Sequence, residues 1–350
     1  MRLALLAAFL CCALGSAVGA AEEIRIELWH GHAATTVESA ALHRETVVAR
    51  AGALVLGNRQ IPSPLSLEPP LLLDGKRLSG KVELFAGSEG LSAVEFVDLE
   101  DYVASVVSAE VPGSWPKAAL QAQAVAARTF AVAQKVAQGP AARVHLRASV
   151  LDQAYAPGGA SAAAKDAARA TAGEVLTFGA APIAAYFSAS CGGRSEGAEE
   201  AFHLPAGSTP YSAAAREDEA DAGRGWSLRI PLARISAALR KAGRILAPVS
   251  GVSVATRTAG GRAKEIAIAT SGGTRRIDAS ELRQILGYEV LPSLLFDASV
   301  DGGTALFRGH GSGHGVGLCQ WGARGRALGG AGYRQILAHY YPGAEVRRMY

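Results

Sequence analysis

The stretch Glu110-Val111-Pro112-Gly113-Ser114-Trp115-Pro116, followed by Lys117-Ala118-Ala119-Leu120-Gln121-Ala122-Gln123-Ala124-Val125-Ala126-Ala127-Arg128-Thr129, leaves this chain few ways to fold. Two prolines and a glycine force a tight turn. Pro116 suits the first position of a helix, where its missing N–H costs nothing. The run behind it is rich in strong helix formers and predicts a helix to about Ala137. Leu120, Ala124, Ala127 and Ala131 make its apolar stripe, and side chains this small let a helix pack close against a core. One carboxylate, Glu110, sits just ahead of the helix, among Val106, Val107, Val111 and Trp115.

The flanks point to an α+β fold. Residues 23–96 read as β-rich: Ile24-Arg25-Ile26-Glu27-Leu28, Val82-Glu83-Leu84 and Val94-Glu95-Phe96 alternate apolar with polar, and Gly, Pro and Asp punctuate them. Leu99 to Val107 predicts a helix leading to Glu110. A second Ala-rich helix is expected from Ala160 to Gly173, then strands at Glu174–Phe178 and Ile183–Ser190. Residues 205–225 read as a loop. Beyond it the pattern predicts helices over Leu232–Ala242 and Ser280–Leu286 with strands around Val252–Val254 and Glu265–Ile268. The expected division is an export signal over 1–20 and one functional unit over 21–350. That unit comprises a β-rich part (21–96), a helical core (97–204) and an α+β lobe (226–350), with the cleft between them. At 350 residues, 49% of them hydrophobic, the chain supplies a core for this arrangement.

Arg2, the apolar Leu3–Leu14 and the small residues Val18-Gly19-Ala20 form the signal pattern, and the apolar part falls short of the roughly 20 residues a membrane span needs. An exported protein, periplasmic or held at the cell wall, is expected. A formal net charge of +4 without any Lys/Arg block argues against nucleic acid as a partner and leaves room for anionic wall material. Removing the signal leaves Cys191 and Cys319, which an oxidising compartment can pair or leave as thiols.

A second dense segment lies far downstream: Gly309-His310-Gly311-Ser312-Gly313-His314-Gly315-Val316-Gly317-Leu318-Cys319-Gln320-Trp321-Gly322-Ala323. It lacks the Gly-Lys-Ser/Thr ending of a phosphate loop. Repeated glycine lets backbone approach a ligand closely. His314, Gln320 and Trp321 then offer hydrogen bonds and a stacking face to a sugar. Glu110 is the leading acid–base candidate: apolar neighbours favour its neutral form, and a helix beginning near Pro116 favours the ionised one. Gln121 and Arg128 share a face of the predicted helix, where Arg128 would steady negative charge. Cys191-Gly192-Gly193-Arg194-Ser195-Glu196 adds a thiol, a cation and a carboxylate. A thiol hydrolase would need Cys191 beside a base such as His314. A zinc site would draw on Cys191, Cys319, His310, His314 and His203, although structural zinc ligands usually come in closely spaced pairs.

These segments together resemble the stage II sporulation protein D family and its lytic transglycosylase relatives. The resemblance rests on Val97-Asp98-Leu99-Glu100-Asp101-Tyr102-Val103, Ala109-Glu110-Val111-Pro112 with Trp115-Pro116, Ala122-Gln123-Ala124-Val125-Ala126-Ala127-Arg128-Thr129, Cys191-Gly192-Gly193-Arg194-Ser195-Glu196, Gly313-His314-Gly315-Val316-Gly317 with Gln320-Trp321-Gly322-Ala323, and Tyr340-Tyr341-Pro342-Gly343. It implies an enzyme that cleaves the N-acetylmuramic acid to N-acetylglucosamine bond of peptidoglycan strands, especially strands stripped of stem peptides, and leaves a 1,6-anhydro sugar. The family's catalytic glutamate falls on Glu110. Substrate contacts are expected from Gln121, Arg128, Ser188, Cys191, Glu196, His314, Gln320 and Trp321. Some members carry zinc on Cys and His ligands around the Cys-Gly-Gly region, where this chain offers Cys191 and, nearest, His203. Other relatives regulate cell-wall amidases, which makes such hydrolases candidate partners. Chemistry by a single acid needs neither metal nor cofactor.

Overall fold

Alternation builds the N-terminal part as expected: Ile24 and Ile26 are fully buried while Arg25 and Glu27 reach toward solvent. The computed structural model describes residues 22–148, 153–212, 216–221 and 225–350. The expected signal lies outside them. The strand Glu23–His32 pairs antiparallel with Gly90–Asp98, and Lys81–Gly87 and Leu65–Leu67 extend that sheet. Leu146–Arg147 joins its other edge in parallel. A six-stranded sheet drawn from residues 34–78 packs on it, with Val37, Val47, Leu54 and Leu71 meeting Val82, Leu84 and Leu91.

The last strand feeds directly into helix α1 (Leu99–Glu110). Asp98 caps it by accepting from the N–H groups of Glu100 (2.8 Å) and Asp101 (3.2 Å), and two acids occupy its first turn. It ends at Glu110 because Val111 precedes a proline, which steers it into extended backbone (φ −139°). Helix α2 (Lys117–Gln138) starts one residue later than expected, with Pro116 just outside it accepting from Ala119 and Leu120. Helix α3 (Ala162–Ala170) is capped by Ser161. The apolar stripe of α2 packs on α1, α3 and the base of the first sheet, through Tyr102, Val103, Val106, Leu120, Ala124 and Ala127.

The opposite face of α2 is buried too. Ala122, Val125 and Ala126 contact Leu318, Ile336, Leu337 and Tyr341, so the end of the chain belongs to the helical core. This corrects the expected division, which placed all of 226–350 in one lobe. Helices α7 (Gln320–Leu328) and α8 (Tyr333–Tyr340) and the strand Glu345–Arg348, paired with Glu174–Phe178, complete that core. The expected strand over Ile183–Ser190 shrinks to Phe187–Ser188. A turn claims its first half: Tyr186 N–H bonds the Ala184 carbonyl, and the Tyr186 carbonyl accepts from the Tyr341 hydroxyl at 2.6 Å.

After short helix α4 (Ala198–Ala201), Tyr211, Asp218 and Asp221 still join the helical core, and residues 225–310 make a separate lobe. Two three-stranded antiparallel sheets, one from 225–231, 296–301 and 304–310 and one from 249–278, enclose a core with helices α5 (Leu232–Lys241) and α6 (Ala279–Leu286). Ile235, Leu239, Ile266, Ile268, Leu282 and Phe307 fill it.

Candidate active site

The chain returns from the lobe through Gly311–Gly317 and makes two parallel pairs, Phe187 with Leu318 and Ser188 with Cys319. Gly317 has φ +66°, and a Cβ there would collide with the Tyr186 carbonyl, so only glycine allows this return path. Its end starts α7, where Cys319 serves as the cap and its sulfur accepts from Gly322 N–H. That start places Gln320 against the end of α1: Gln320 Nε2 donates to Glu110 Oε2 at 2.9 Å. The other oxygen of Glu110 accepts from the Ala154 backbone N–H, also at 2.9 Å. Glu110 stands partly exposed as the last residue of α1, and its partner Gln320 is the first residue of α7.

An aromatic wall lies beside it. Trp115 and Trp321 have ring centroids 5.0 Å apart at 60°, and the Arg324 guanidinium sits 5.3 Å from the Trp321 ring and 6.0 Å from that of Trp115. The site thus offers a carboxyl held at both oxygens, a primary amide, and two indole rings with a cation over them. Sugars use the faces of such rings for their apolar C–H surfaces.

Of the residues expected from sequence, Glu110, Gln320 and Trp321 come together. Ser188, Cys191 and Glu196 bind the returning segment instead. Ser188 Oγ accepts from Gly315 N–H (3.1 Å), the Cys191 N–H points at the Cys319 sulfur (3.2 Å), and Glu196 N–H donates to the Gly315 carbonyl (2.9 Å). All three are buried, as is Gln320. Gln121 lies partly exposed on α2. Arg128 is a correction: it is 0% exposed and makes a bidentate pair with Glu100, at 2.8 and 2.5 Å. It also donates to the carbonyls of Glu174 and Ala168. With every edge committed, it faces no substrate.

His314 stands half-buried with its ring against Phe202 and Tyr186, and Nδ1 accepts from Val316 N–H at 3.0 Å. Burial, and then the nearby Arg262 guanidinium, push its pKa down to about 4. It is a neutral hydrogen-bonding group near pH 7.

The thiols point elsewhere. Cys191 and Cys319 are free and buried, and their sulfurs and the Asp218 carboxylate lie within 4.8 Å of one another. Asp218 accepts from the Tyr340 hydroxyl (2.7 Å) and pairs with Arg326 (3.2 Å), while Cys319 faces Asp221 at 3.2 Å. Burial pushes the Cys319 thiol well up. Among the described residues no imidazole joins this group. His203 is exposed and faces Asp278 at 3.7 Å, so the Cys–His zinc set that the resemblance implies does not fit here. Nor does Cys191 meet His314 as a thiol hydrolase requires.

Sequence reasoning missed two contributors. Arg324 is one turn along α7 from Trp321, a spacing that would have found it. The Ala154 N–H carries no sequence signal.

The chain is similar to known proteins over most of its length. A family model described as stage II sporulation protein matches residues 87–178, and a model of a domain of unknown function matches 215–317, close to the lobe. Stage II sporulation protein D of Bacillus amyloliquefaciens is 31% identical over 276 residues, covering 73% of this chain and 75% of that protein. An uncharacterized protein of Brachyspira hyodysenteriae is 30% identical over 277 residues, covering 78% and 73%. The amidase enhancer of Bacillus subtilis is 27% identical over 289 residues, and the match spans 69% of this chain but only 39% of that larger protein.

Proposed function

This chain belongs to the stage II sporulation protein D family and has a cell-wall-related role; from that premise we propose that it is an exported lytic transglycosylase of peptidoglycan strands, with Glu110 as its acid and base. What supports the reading is the bond from Gln320 to Glu110, which joins the two unusual segments of the sequence at one partly exposed carboxyl. An ordinary glycosidase uses two carboxylates, one of them to activate water or attack the sugar. Here one suffices. Glu110 gives its proton to the oxygen linking the two sugars, and that bond breaks. The muramic acid 6-hydroxyl then attacks the cationic carbon, and Glu110 takes the hydroxyl proton. Holding that hydroxyl against the carbon replaces the second carboxylate. Gln320 fixes the carboxyl between the two steps, and Trp115 and Trp321 offer stacking faces to the sugars.

A second reading, a wall-binding module that stimulates an amidase, follows from the similarity to an amidase enhancer. Incubation with peptide-free glycan strands and mass spectrometry of the products separates the two. The enzyme yields 1,6-anhydro ends; the module binds and yields none. Glu110→Gln should lower the rate by at least about a hundredfold, the scale of general acid–base catalysis, while leaving glycan binding intact. Reducing-end sugars as products, or turnover that survives this substitution, would refute the assignment.

A further inference from the structure

Two passes of the chain connect the lobe to the helical core, one through residues 191–221 on the way out and one through Gly311–Gly317 on the way back. They touch at several points. The Ser190 N–H donates to the Ser312 carbonyl (3.0 Å), and the Ser312 N–H to the Ser190 carbonyl (2.9 Å). The Trp321 N–H donates to the Ala189 carbonyl at 3.1 Å. Glycine permits the approach: a Cβ on Gly192 would lie 2.8 Å from the His310 carbonyl carbon, and one on Gly311 2.7 Å from the Ser190 carbonyl oxygen. Both described cysteines sit where these passes meet. Cys191 and Cys319 are 128 positions apart in sequence, both are buried in one apolar cluster, and the Cys191 N–H points at the Cys319 sulfur at 3.2 Å. The two sulfurs lie within 4.8 Å of each other. Gln320, the partner of Glu110, follows Cys319 directly.

Each thiol faces a carboxylate, Cys191 with Asp218 at 3.6 Å and Cys319 with Asp221 at 3.2 Å. Neither carboxylate depends on so weak a donor. Asp218 accepts from the Tyr340 hydroxyl and pairs with Arg326, and Asp221 accepts from the Ser190 hydroxyl and the Gly192 N–H. Removing both thiol protons therefore strands neither acid. A disulfide sulfur also keeps the lone pairs with which Cys319 accepts from Gly322 N–H at the start of α7.

We propose that Cys191 and Cys319 form a disulfide across the two passes, closing a covalent loop around the lobe and pinning the start of α7. The oxidant is an external disulfide. The Cys191 thiolate attacks one of its sulfurs and releases a first thiol. The Cys319 thiolate then attacks the mixed disulfide at Cys191 and releases the second. The two protein thiols give up two electrons and two protons, and the external disulfide becomes two thiols. Burial pushes the Cys319 thiol well up in the folded chain, so the exchange belongs to folding, before the return pass closes over it. A cross-link over so long a loop removes much of the freedom of the unfolded chain. The inference does not rest on the glycan reading of the Glu110 site.

The test synthesises the full chain cell-free in a buffer of oxidised and reduced glutathione, and in parallel with excess dithiothreitol. Free thiols are alkylated under denaturing conditions, and the peptides are mapped by mass spectrometry without reduction. The soluble product of the glutathione buffer should contain the Cys191 peptide joined to the Cys319 peptide. Adding dithiothreitol to that product should lower its thermal midpoint by about 5 °C. Cys191→Ser made in the same buffer should show no such drop. Finding both cysteines alkylated in the soluble product, or either one joined to glutathione, Cys11 or Cys12, overturns the cross-link. A chain that folds only under dithiothreitol overturns it too. Zinc retained stoichiometrically by the purified chain, and released when the two thiols are alkylated, would make the pair a metal site and overturn the disulfide. Linked peptides with an unmoved midpoint, or an equal drop in Cys191→Ser, would remove the pinning.

Discussion

Arg128 and Arg262 are both buried arginines, one in the helical core and one where the lobe meets the 191–196 turn, and the fold treats them in opposite ways. Arg128 meets a carboxylate through both edges of its fork, with carbonyls and a hydroxyl taking the rest. Arg262 donates to carbonyls and keeps a bare Nε, with the Glu196 carboxylate near enough to favour its charge. A buried charge matched by its own chain is part of the scaffold. A buried charge answered by carbonyl dipoles, and by a carboxylate that acts on it without a hydrogen bond, is held less tightly. Sequence cannot draw that distinction, since both residues are simply arginines among small residues.

The largest effect should come from the matched charge. Arg128→Met strands Glu100, which is itself held by Gly173 N–H and the Tyr350 hydroxyl. Breaking a buried pair costs about 3–5 kcal/mol, and the 26% exposure of the Glu100 side chain sets the lower end, about 3 kcal/mol. Urea unfolding reads this directly. If the variant keeps its midpoint but loses glycan binding, Arg128 touches substrate after all and the comparison inverts.

Arg262→Met should cost less, about 1 kcal/mol. Two hydrogen bonds to carbonyls are lost and Glu196 loses a nearby cation, but so is the desolvation burden of a buried guanidinium. Glu196 keeps its own donors. The same unfolding series tests it, and a loss equal to that of Arg128→Met would show that Arg262 is as fully matched as its counterpart.

Much of this was legible in advance for physical reasons. Pro112, Pro116 and the cap Asp98 act within a turn of where they sit, so α1, α2 and the bend that presents Glu110 follow from local sequence. Trp115, Gln320 and Trp321 stood out because their segments are too dense in special residues to be core. The rest depended on distance. Glu100 lies 28 positions from Arg128 and on another helix, so the pair that buries Arg128 was invisible. Helices α7 and α8 were missed because Gly322, Gly325 and Gly332 weaken their local signal, and tertiary packing of Leu318, Ile336 and Leu337 on the second face of α2 supplies what propensity does not. The turn at 183–186 replaced a strand because Tyr341, far down the chain, takes its carbonyl.

The smallest effect, and the finest test of the comparison, is a titration. His314 has its folded pKa near 4 against an ordinary value of 6.5, because of burial first and Arg262 second. The fold therefore holds it neutral. Above pH 6.5 both states leave it unprotonated and its contribution to stability is complete. As pH falls from 6.5 toward 4 the unfolded chain takes up a proton that the folded chain refuses, so stability drops, and below about 4 the loss levels off. His145, also pushed down to about 4 by burial and by Arg25, adds a parallel loss. The informative quantity is thus the difference between variants. In Arg262→Met the burial remains and the neighbouring charge is gone, so the His314 pKa should rise part of the way toward 6.5, and the midpoint of its imidazole resonances by NMR should follow. A matched Arg262 would have little field left to remove. An unmoved His314 titration in that variant would mean that the Glu196 carboxylate already neutralises the field of Arg262, and the two buried arginines would then be matched alike.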